Sequence, residues 1–208
     1  MEVSVATEIN MLFVLVTLGV AQVYLECTTE RRQRYLEGGI RSLQYLLGIP
    51  ALLNLGLFLA DPDLWAGGYL SVSRPLAVAG VVIFNAAALT ILWAHLSLRR
   101  FRSAELETRA DHRLVETGPY RWIRHPLYSS YLLITAGLFL MTGNWLVTAP
   151  MFAYFLAIAA RAWKEEAMLL ERLGGSYREY MARTERFLPR PAGALRAGAS
   201  YLRQAFPD

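Results

Sequence analysis

Two polar clusters in this chain combine residue types that do chemistry. The first is Gly118-Pro119-Tyr120-Arg121-Trp122-Ile123-Arg124-His125-Pro126-Leu127-Tyr128, and the second is Arg161-Ala162-Trp163-Lys164-Glu165-Glu166. A histidine, tyrosines, arginines and paired carboxylates can hold an ammonium group, grip an acid through a planar fork, or carry a proton. Between them lies an apolar stretch interrupted by Thr142-Gly143-Asn144, a tight turn by composition, with a permissive Gly and an αL-tolerant Asn. If that stretch crosses a bilayer and returns, both clusters lie at one membrane face and form a single site.

The spacing inside each cluster is informative. Glu165 follows Arg161 by one helical turn, so the two share a face, while Glu166 is rotated about 100° away. Adjacent carboxylates at a membrane boundary are costly unless paired or solvated, and such groups mark function by default; a solvated helix end is the alternative. Leu114-Val115-Glu116-Thr117-Gly118-Pro119-Tyr120 reads as a short extended piece followed by a turn, whose backbone groups are available to a ligand. His125 and Tyr128 then stand at the start of a span, and Pro126 suits a first helical turn, where its missing N–H costs little. Taken singly, Arg121 and Arg124 also read as arginines snorkelling to headgroups, and Tyr120, Trp122 and Tyr128 as an aromatic belt.

The elements that must position these residues are membrane helices. Hydrophobic residues make up 55% of the chain and charged residues 18%, with a mean hydropathy of +0.29. Spanning the hydrocarbon takes about 20 mostly apolar residues. The stretches that qualify are about Ile9 to Leu25, Leu43 to Ala60 and Pro75 to Leu98, then the two short arms of a hairpin, Leu127 to Met141 and Trp145 to Ala160. Short arms imply tilt or local thinning. The third stretch carries only Asn85 and His95 as strongly polar side chains, which argues against a soluble bundle. The first has Glu2 and Glu8 but no Lys or Arg before it, and no small-residue cleavage site, so it reads as a retained helix rather than a signal peptide.

Basic residues set the orientation. Arg31, Arg32, Arg34 and Arg41 follow the first stretch and Arg99, Arg100, Arg102, Arg109, Arg113, Arg121 and Arg124 the third, whereas Asp61 and Asp63 oppose a lone Arg74 between the second and third. The positive-inside rule then puts the N-terminus outside and the C-terminus in the cytoplasm, with both clusters on the cytoplasmic side; the membrane is read as that of a prokaryotic cell. The expected fold class is all-α: a polytopic membrane protein with five transmembrane helices, including a C-terminal hairpin, plus cytoplasmic C-terminal helices. It forms one domain over residues 1–208, with three N-terminal spans (1–98), a core carrying both clusters (99–190) and a tail (191–208). Residues 161–189 read as helical, with Gly174-Gly175 breaking them in two and Ser176 as N-cap of the second piece. The tail is an interfacial helix or disordered.

The single cysteine, Cys27, excludes an internal disulfide and a cysteine-based metal site, and reads as a buried small hydrophobe or a palmitoylation site. His95, His112 and His125 have no ligand spacing, so no metal is expected. A net charge of +4 is what topology and anionic headgroups select, and no nucleic-acid module is present. Asn85 and His95 read as interhelical hydrogen-bonding groups rather than substrate contacts.

The residues also carry a resemblance. Leu114-Val115, Gly118-Pro119-Tyr120, Arg124-His125-Pro126 and Tyr128, followed by Arg161, Glu165-Glu166, Gly174, Tyr177, Tyr180, Thr184 and Pro189, resemble in order and spacing the C-terminal half of the isoprenylcysteine carboxyl methyltransferase family. The resemblance covers about Arg113 to Pro189. It implies an integral membrane enzyme that transfers a methyl group from S-adenosyl-L-methionine to a lipophilic acceptor from the bilayer, most readily a carboxylate. Glu165 or Glu166 would hold the cofactor's ammonium. His125 and Tyr128, with the backbone near His112, Leu114 and Val115 and with Gly118 and Tyr120, would line the rest of its pocket. Arg161 would orient a carboxylate acceptor bidentately, and Glu165 would be the base if the acceptor were an amine or thiol.

Phospholipid N-methyltransferases and small-thiol methyltransferases share a similar core, and NADPH-dependent sterol reductases carry a related C-terminal pattern. The Glu-Glu pair looks more like the methyltransferases. A non-enzymatic membrane scaffold would leave Arg161, Glu165 and His125 without a purpose. The chain departs from the eukaryotic enzymes in having fewer spans before the hairpin, and its first spans carry no recognisable motif.

Overall fold

A helix whose surface is apolar all round cannot bury itself in a small soluble domain, and the helices of this chain keep large apolar side chains on their outer faces. The computed structural model describes residues 5–28, 38–104 and 114–189, with side chains over 7–20, 46–98 and 114–189. The elements are α1 (Val5–Thr28), α2 (Gly38–Ala60), a 3-10 segment (Pro62–Gly68), α3 (Arg74–Ala104), a 3-10 turn (Gly118–Arg121), α4 (Pro126–Thr142), α5 (Trp145–Leu173) and α6 (Gly175–Arg183). No strand occurs among the described residues, only the isolated bridges Tyr69 to Asn144 and Ile123 to Glu185. Phe13 is 69% exposed, Leu46 68% and Leu89 68%, which suits hydrocarbon and not water.

Arg74–Leu98 and Trp145–Leu173 are each long and apolar enough to cross a membrane; the pair Leu46–Ala60 and Pro62–Gly68, bent by 109°, is a third if it is one span. Thr7–Val20 and Pro126–Thr142 are shorter apolar helices. α5 has 29 residues, about 43 Å of helix against a hydrocarbon core of about 30 Å. Its apolar part ends at Ala160, and the remainder bears Arg161, Lys164, Glu165, Glu166, Glu171 and Arg172. That polar extension follows the apolar stretch.

The chain divides into two compact units. The first comprises residues 1–89 and 130–161. Within it, Asn10 and Asn85 exchange amide hydrogen bonds of 3.3 and 3.0 Å between α1 and α3, the interhelical role expected of Asn85. Gly80 and Gly137 let α3 and α4 approach backbone to backbone, since a Cβ on Gly137 would lie 2.8 Å from the Phe84 nitrogen.

Pro150 lies inside α5. It has no N–H, so the carbonyl of Leu146 loses its helical donor, and the Asn54 amide of α2 supplies one at 3.2 Å, with the Val147 carbonyl at 3.1 Å. Asn54 in turn accepts from the Trp65 indole at 3.0 Å. Replacing Asn54 by Leu is expected to lower stability by about 2 kcal/mol, because the orphaned carbonyl has no water to turn to. Thermal unfolding in detergent tests this, and Pro150→Ala, which restores the helical donor, should reduce the loss.

The second unit comprises residues 90–129 and 162–208. Gly118 adopts φ +62°, and a Cβ there would run into the Ser97 hydroxyl, so glycine is required on both counts. Tyr180 of α6 donates to the Tyr120 carbonyl at 2.7 Å. The bridge of Ile123 and Glu185 is parallel: Arg124 N–H donates to the Glu185 carbonyl at 2.8 Å and His125 N–H to the Arg186 carbonyl at 3.0 Å. Two segments some 60 residues apart are thereby clamped.

The third apolar stretch ends at Leu98, as expected, and α3 continues as helix to Ala104. Other expectations are corrected. The break between α5 and α6 is Gly174 itself, at φ +55°, which also precedes the first residue of α6 as its N-cap; Ser176 lies inside the helix. Gly143 alone is left-handed in the 142–144 turn, at φ +64°, while Asn144 caps α5 by accepting from Leu146 N–H at 3.0 Å. α4 begins at Pro126, as its suitability for a first turn implied.

Candidate active site

The segment 122–125, the start of α4, the polar end of α5 and the segment after α6 converge in the second unit, and Glu166 is the hub. It is 4% exposed. Arg124 Nε donates to its Oε1 at 2.8 Å, and Arg186 donates to Oε2 through Nη2 at 2.6 Å and Nε at 3.1 Å. His125 Nε2 lies 3.2 Å from Oε1. Arg124 is fixed further by donating from Nη1 to the Met181 carbonyl at 3.2 Å and to the Thr184 carbonyl.

This pairing decides the electrostatics. Burial alone would raise the Glu166 carboxyl, but hydrogen bonds from Arg186 and Arg124 and their positive charges outweigh it and hold the group at about 2. Burial is also the first cause at His125, pulling the imidazole down to about 4; the attraction and hydrogen bond of Glu166 oppose this, and the charges of Arg124 and Arg186 add to it. At neutral pH the site therefore holds an ionised Glu166 and a neutral His125.

Glu165 is placed differently. Its side chain is 24% exposed, and Tyr128 donates to its Oε2 at 3.0 Å. His125 Nδ1 is 3.7 Å from the same oxygen. The His125 ring stacks on Tyr128 with centroids 5.2 Å apart and planes 3° from parallel. Trp163 and Phe187 close one side at 6.1 Å between rings, and the Arg186 guanidinium lies 4.6 Å from the Trp163 ring centroid, a cation–π contact.

His125, Tyr128, Glu165 and Glu166 are thus brought together. Gly118 and Tyr120 sit on the adjoining 3-10 turn, and Leu114 and Val115 begin the extended run before it, half-buried. Arg161 precedes Glu165 by one turn of α5 and is half-buried, at the end of the first unit. His112 lies outside the described residues, as do the basic residues 31, 32, 34, 109 and 113, and the tail after Pro191; the Cys27, Arg41 and Arg99 to Arg102 side chains are outside them too. Arg124 does not snorkel: its side chain is 8% exposed and bound to carboxylate and carbonyls.

Arg186 was not singled out by the sequence, although Thr184 and Pro189 on either side of it were. The available signal was an arginine next to an aromatic in a non-helical run ending at Pro189, the place where a chain leaving α6 can turn back.

Comparison with known proteins bears on residues 78–171, which match the isoprenylcysteine carboxyl methyltransferase (ICMT) family. The nickel-cobalt-cadmium resistance protein NccN of Alcaligenes xylosoxydans xylosoxydans is 30% identical over 131 residues, 63% of this chain and 57% of that protein. The cobalt-zinc-cadmium resistance protein CzcN of Cupriavidus metallidurans is 32% identical over 126 residues, 61% of this chain and 54% of that protein. The protein-S-isoprenylcysteine O-methyltransferase of Schizosaccharomyces pombe is 32% identical over 81 residues, 38% of this chain and 34% of that protein. The chain thus spans about half the length of the first two relatives and a third of the last. The matched stretch holds the histidine and both glutamates of the two polar clusters, and with apolar helices long enough to cross a membrane beside it, residues 78–171 are similar to the isoprenylcysteine carboxyl methyltransferase family.

Proposed function

We propose that this protein is a membrane methyltransferase that uses S-adenosyl-L-methionine and methylates a lipophilic acceptor drawn from the bilayer, a carboxylate in the first instance. In this reading five spans place the N-terminus outside and the C-terminus and the site in the cytoplasm of a prokaryotic cell. The observation that carries it is the convergence of His125, Tyr128 and the two glutamates: Glu166 is buried and bound by Arg124, Arg186 and His125, while Glu165 is partly exposed, accepts from Tyr128 and lies 3.7 Å from His125 Nδ1.

The donor set fits the cofactor. Its ammonium needs acceptors, and Glu165 Oε2 faces His125 Nδ1 across 3.7 Å. The main chain around Leu114, Val115, Gly118 and Tyr120, with His112, would line the adenosine part. When bound, the cofactor supplies an electrophilic methyl carbon on a sulfonium, so the acceptor needs only a lone pair aligned with it. A carboxylate meets that need without a base. This accords with a site whose His125 is held down at about 4 and Glu166 at about 2, both poorly matched to proton abstraction at neutral pH. Arg161, on the Glu165 face of α5, would hold the carboxylate through two parallel hydrogen bonds.

Calorimetry on the purified protein tests the reading. S-adenosylhomocysteine is expected to bind, and binding is expected to be lost in Glu165→Gln and His125→Ala. Binding of NADPH alone would move the assignment to a reductase. Binding of neither would leave the cluster without a cofactor and sink the enzyme reading.

A further inference from the structure

Arg186 stands outside every motif that pointed to the site, yet it touches His125 by two routes. Its carbonyl accepts the His125 N–H at 3.0 Å. Its guanidinium grips Glu166 Oε2 through Nη2 and Nε at 2.6 and 3.1 Å, and the other oxygen of Glu166 meets His125 Nε2 at 3.2 Å. We propose that Arg186 is the positioning residue of the site, holding His125 in the single tautomer that turns ring Nδ1 toward Glu165 as an acceptor; the use made of that acceptor rests on the methyltransferase reading above.

The geometry leaves His125 one choice. An ionised carboxylate only accepts, so a ring nitrogen 3.2 Å from Glu166 Oε1 must carry the proton. A neutral imidazole has one N–H, so Nδ1 is a lone pair. It faces the Glu165 carboxylate oxygen at 3.7 Å, and two acceptors converging at that distance call for a donor such as an ammonium group.

Glu166 enforces this only while it cannot rotate. Its two oxygens take four nitrogen contacts, one from Arg124, one from His125 and two from Arg186, which uses the acceptor capacity of a carboxylate. Arg124 is committed elsewhere through the Met181 and Thr184 carbonyls. Among the described residues Arg186 alone fixes Oε2, and its guanidinium lies 4.6 Å from the Trp163 ring centroid. A lysine supplies the charge without the planar fork.

The groups that face His125 are Arg124 on its own segment, Tyr128 on α4, Glu165 and Glu166 on α5 and Arg186 after α6, with Tyr177 of α6 in the field of both glutamates. Removing Arg186 deletes a positive charge that disfavours the imidazolium. The acid midpoint of His125, about 4 in the native protein, should then rise.

The test is nitrogen-15 spectroscopy of the full chain with labelled histidine in detergent, His125 being assigned by its absence in His125→Phe. The native protein should show protonated Nε2 and unprotonated Nδ1 at pH 7. Arg186→Gln should show mixed tautomers and the raised midpoint; Arg186→Lys should recover most of the midpoint but not the single tautomer. A single unchanged tautomer and midpoint in Arg186→Gln overturns the proposal. Should that variant not fold, Arg186→Lys decides alone, and a single tautomer there overturns it. S-adenosylhomocysteine binding to the native protein is read in parallel: its absence counts against the methyltransferase reading, while the histidine spectra still judge the role of Arg186.

Discussion

Substituting the two neighbouring glutamates by glutamine is expected to give opposite phenotypes. Glu166→Gln removes the carboxylate that Arg124 and Arg186 share and leaves a guanidinium, that of Arg124, buried without this counter-charge. Breaking a buried pair from one side costs more than the pair contributes, because the partner's desolvation is no longer offset. The expected loss is about 3 kcal/mol, toward the lower end for such pairs, since Arg186 is partly exposed and can recover hydration. Glu165→Gln is isosteric, sits at a half-exposed position, and keeps an oxygen for the Tyr128 hydroxyl. Its stability should change by less than about 1 kcal/mol. What it removes is the charge that the methyltransferase reading assigns to the cofactor's ammonium, and a charge-assisted hydrogen bond of about 2 to 3 kcal/mol corresponds to roughly a 30- to 150-fold loss of affinity. Thermal unfolding and S-adenosylhomocysteine titration on both variants check the contrast. A Glu166→Gln protein as stable as the native one, or a Glu165→Gln protein that binds as well, would remove the division of labour on which the functional reading rests.

That division was not legible in the sequence, which left the two glutamates interchangeable. Helical spacing put Glu165 on the face of Arg161 and Glu166 about 100° away, but nothing local said which face would be buried. The answer lies in Arg186, brought back by a parallel bridge between residues 123 and 185, a pairing that no periodicity encodes. The elements that could be read were those governed by local chemistry. Pro126 starts α4 because its ring is pre-set for a first turn. Gly143 ends it because only glycine takes φ +64° without strain. The apolar stretches became helices because each is uncharged, without a strand-like alternation, and bounded by polar residues. Where a tertiary partner replaces a local bond the sequence is silent, as at Pro150, whose orphaned carbonyl is met by Asn54 from a helix 92 residues away. Ser176 illustrates the converse: a good capping residue was displaced because Gly174, one of two adjacent glycines, took the positive φ that the break requires.

Stability should fall in two steps as the pH is lowered, and His125 sets the first. In the unfolded chain its imidazole titrates near 6.5, whereas in the folded protein burial holds it at about 4. Between those values the unfolded state binds a proton that the folded state refuses, so unfolding is favoured increasingly as the pH drops from about 6.5 to about 4. The contribution is fully present above 6.5, and its loss across the window is of the order of 3 kcal/mol. Glu166 acts lower down. Its folded-state value of about 2 lies below the ordinary 4.5, so the stability it contributes is present above about 4.5 and is lost as the pH falls toward 2. His125→Phe separates the two, because a phenyl ring keeps the stacking on Tyr128 and cannot titrate. Unfolding of the variant measured from pH 7 to pH 3 should be flatter than that of the native protein above about 4.5 and should keep the steep limb below it. Equal slopes in the two proteins between 6.5 and 4.5 would mean that His125 protonates in the folded state at its ordinary value, and that the buried network around Glu166 admits an imidazolium.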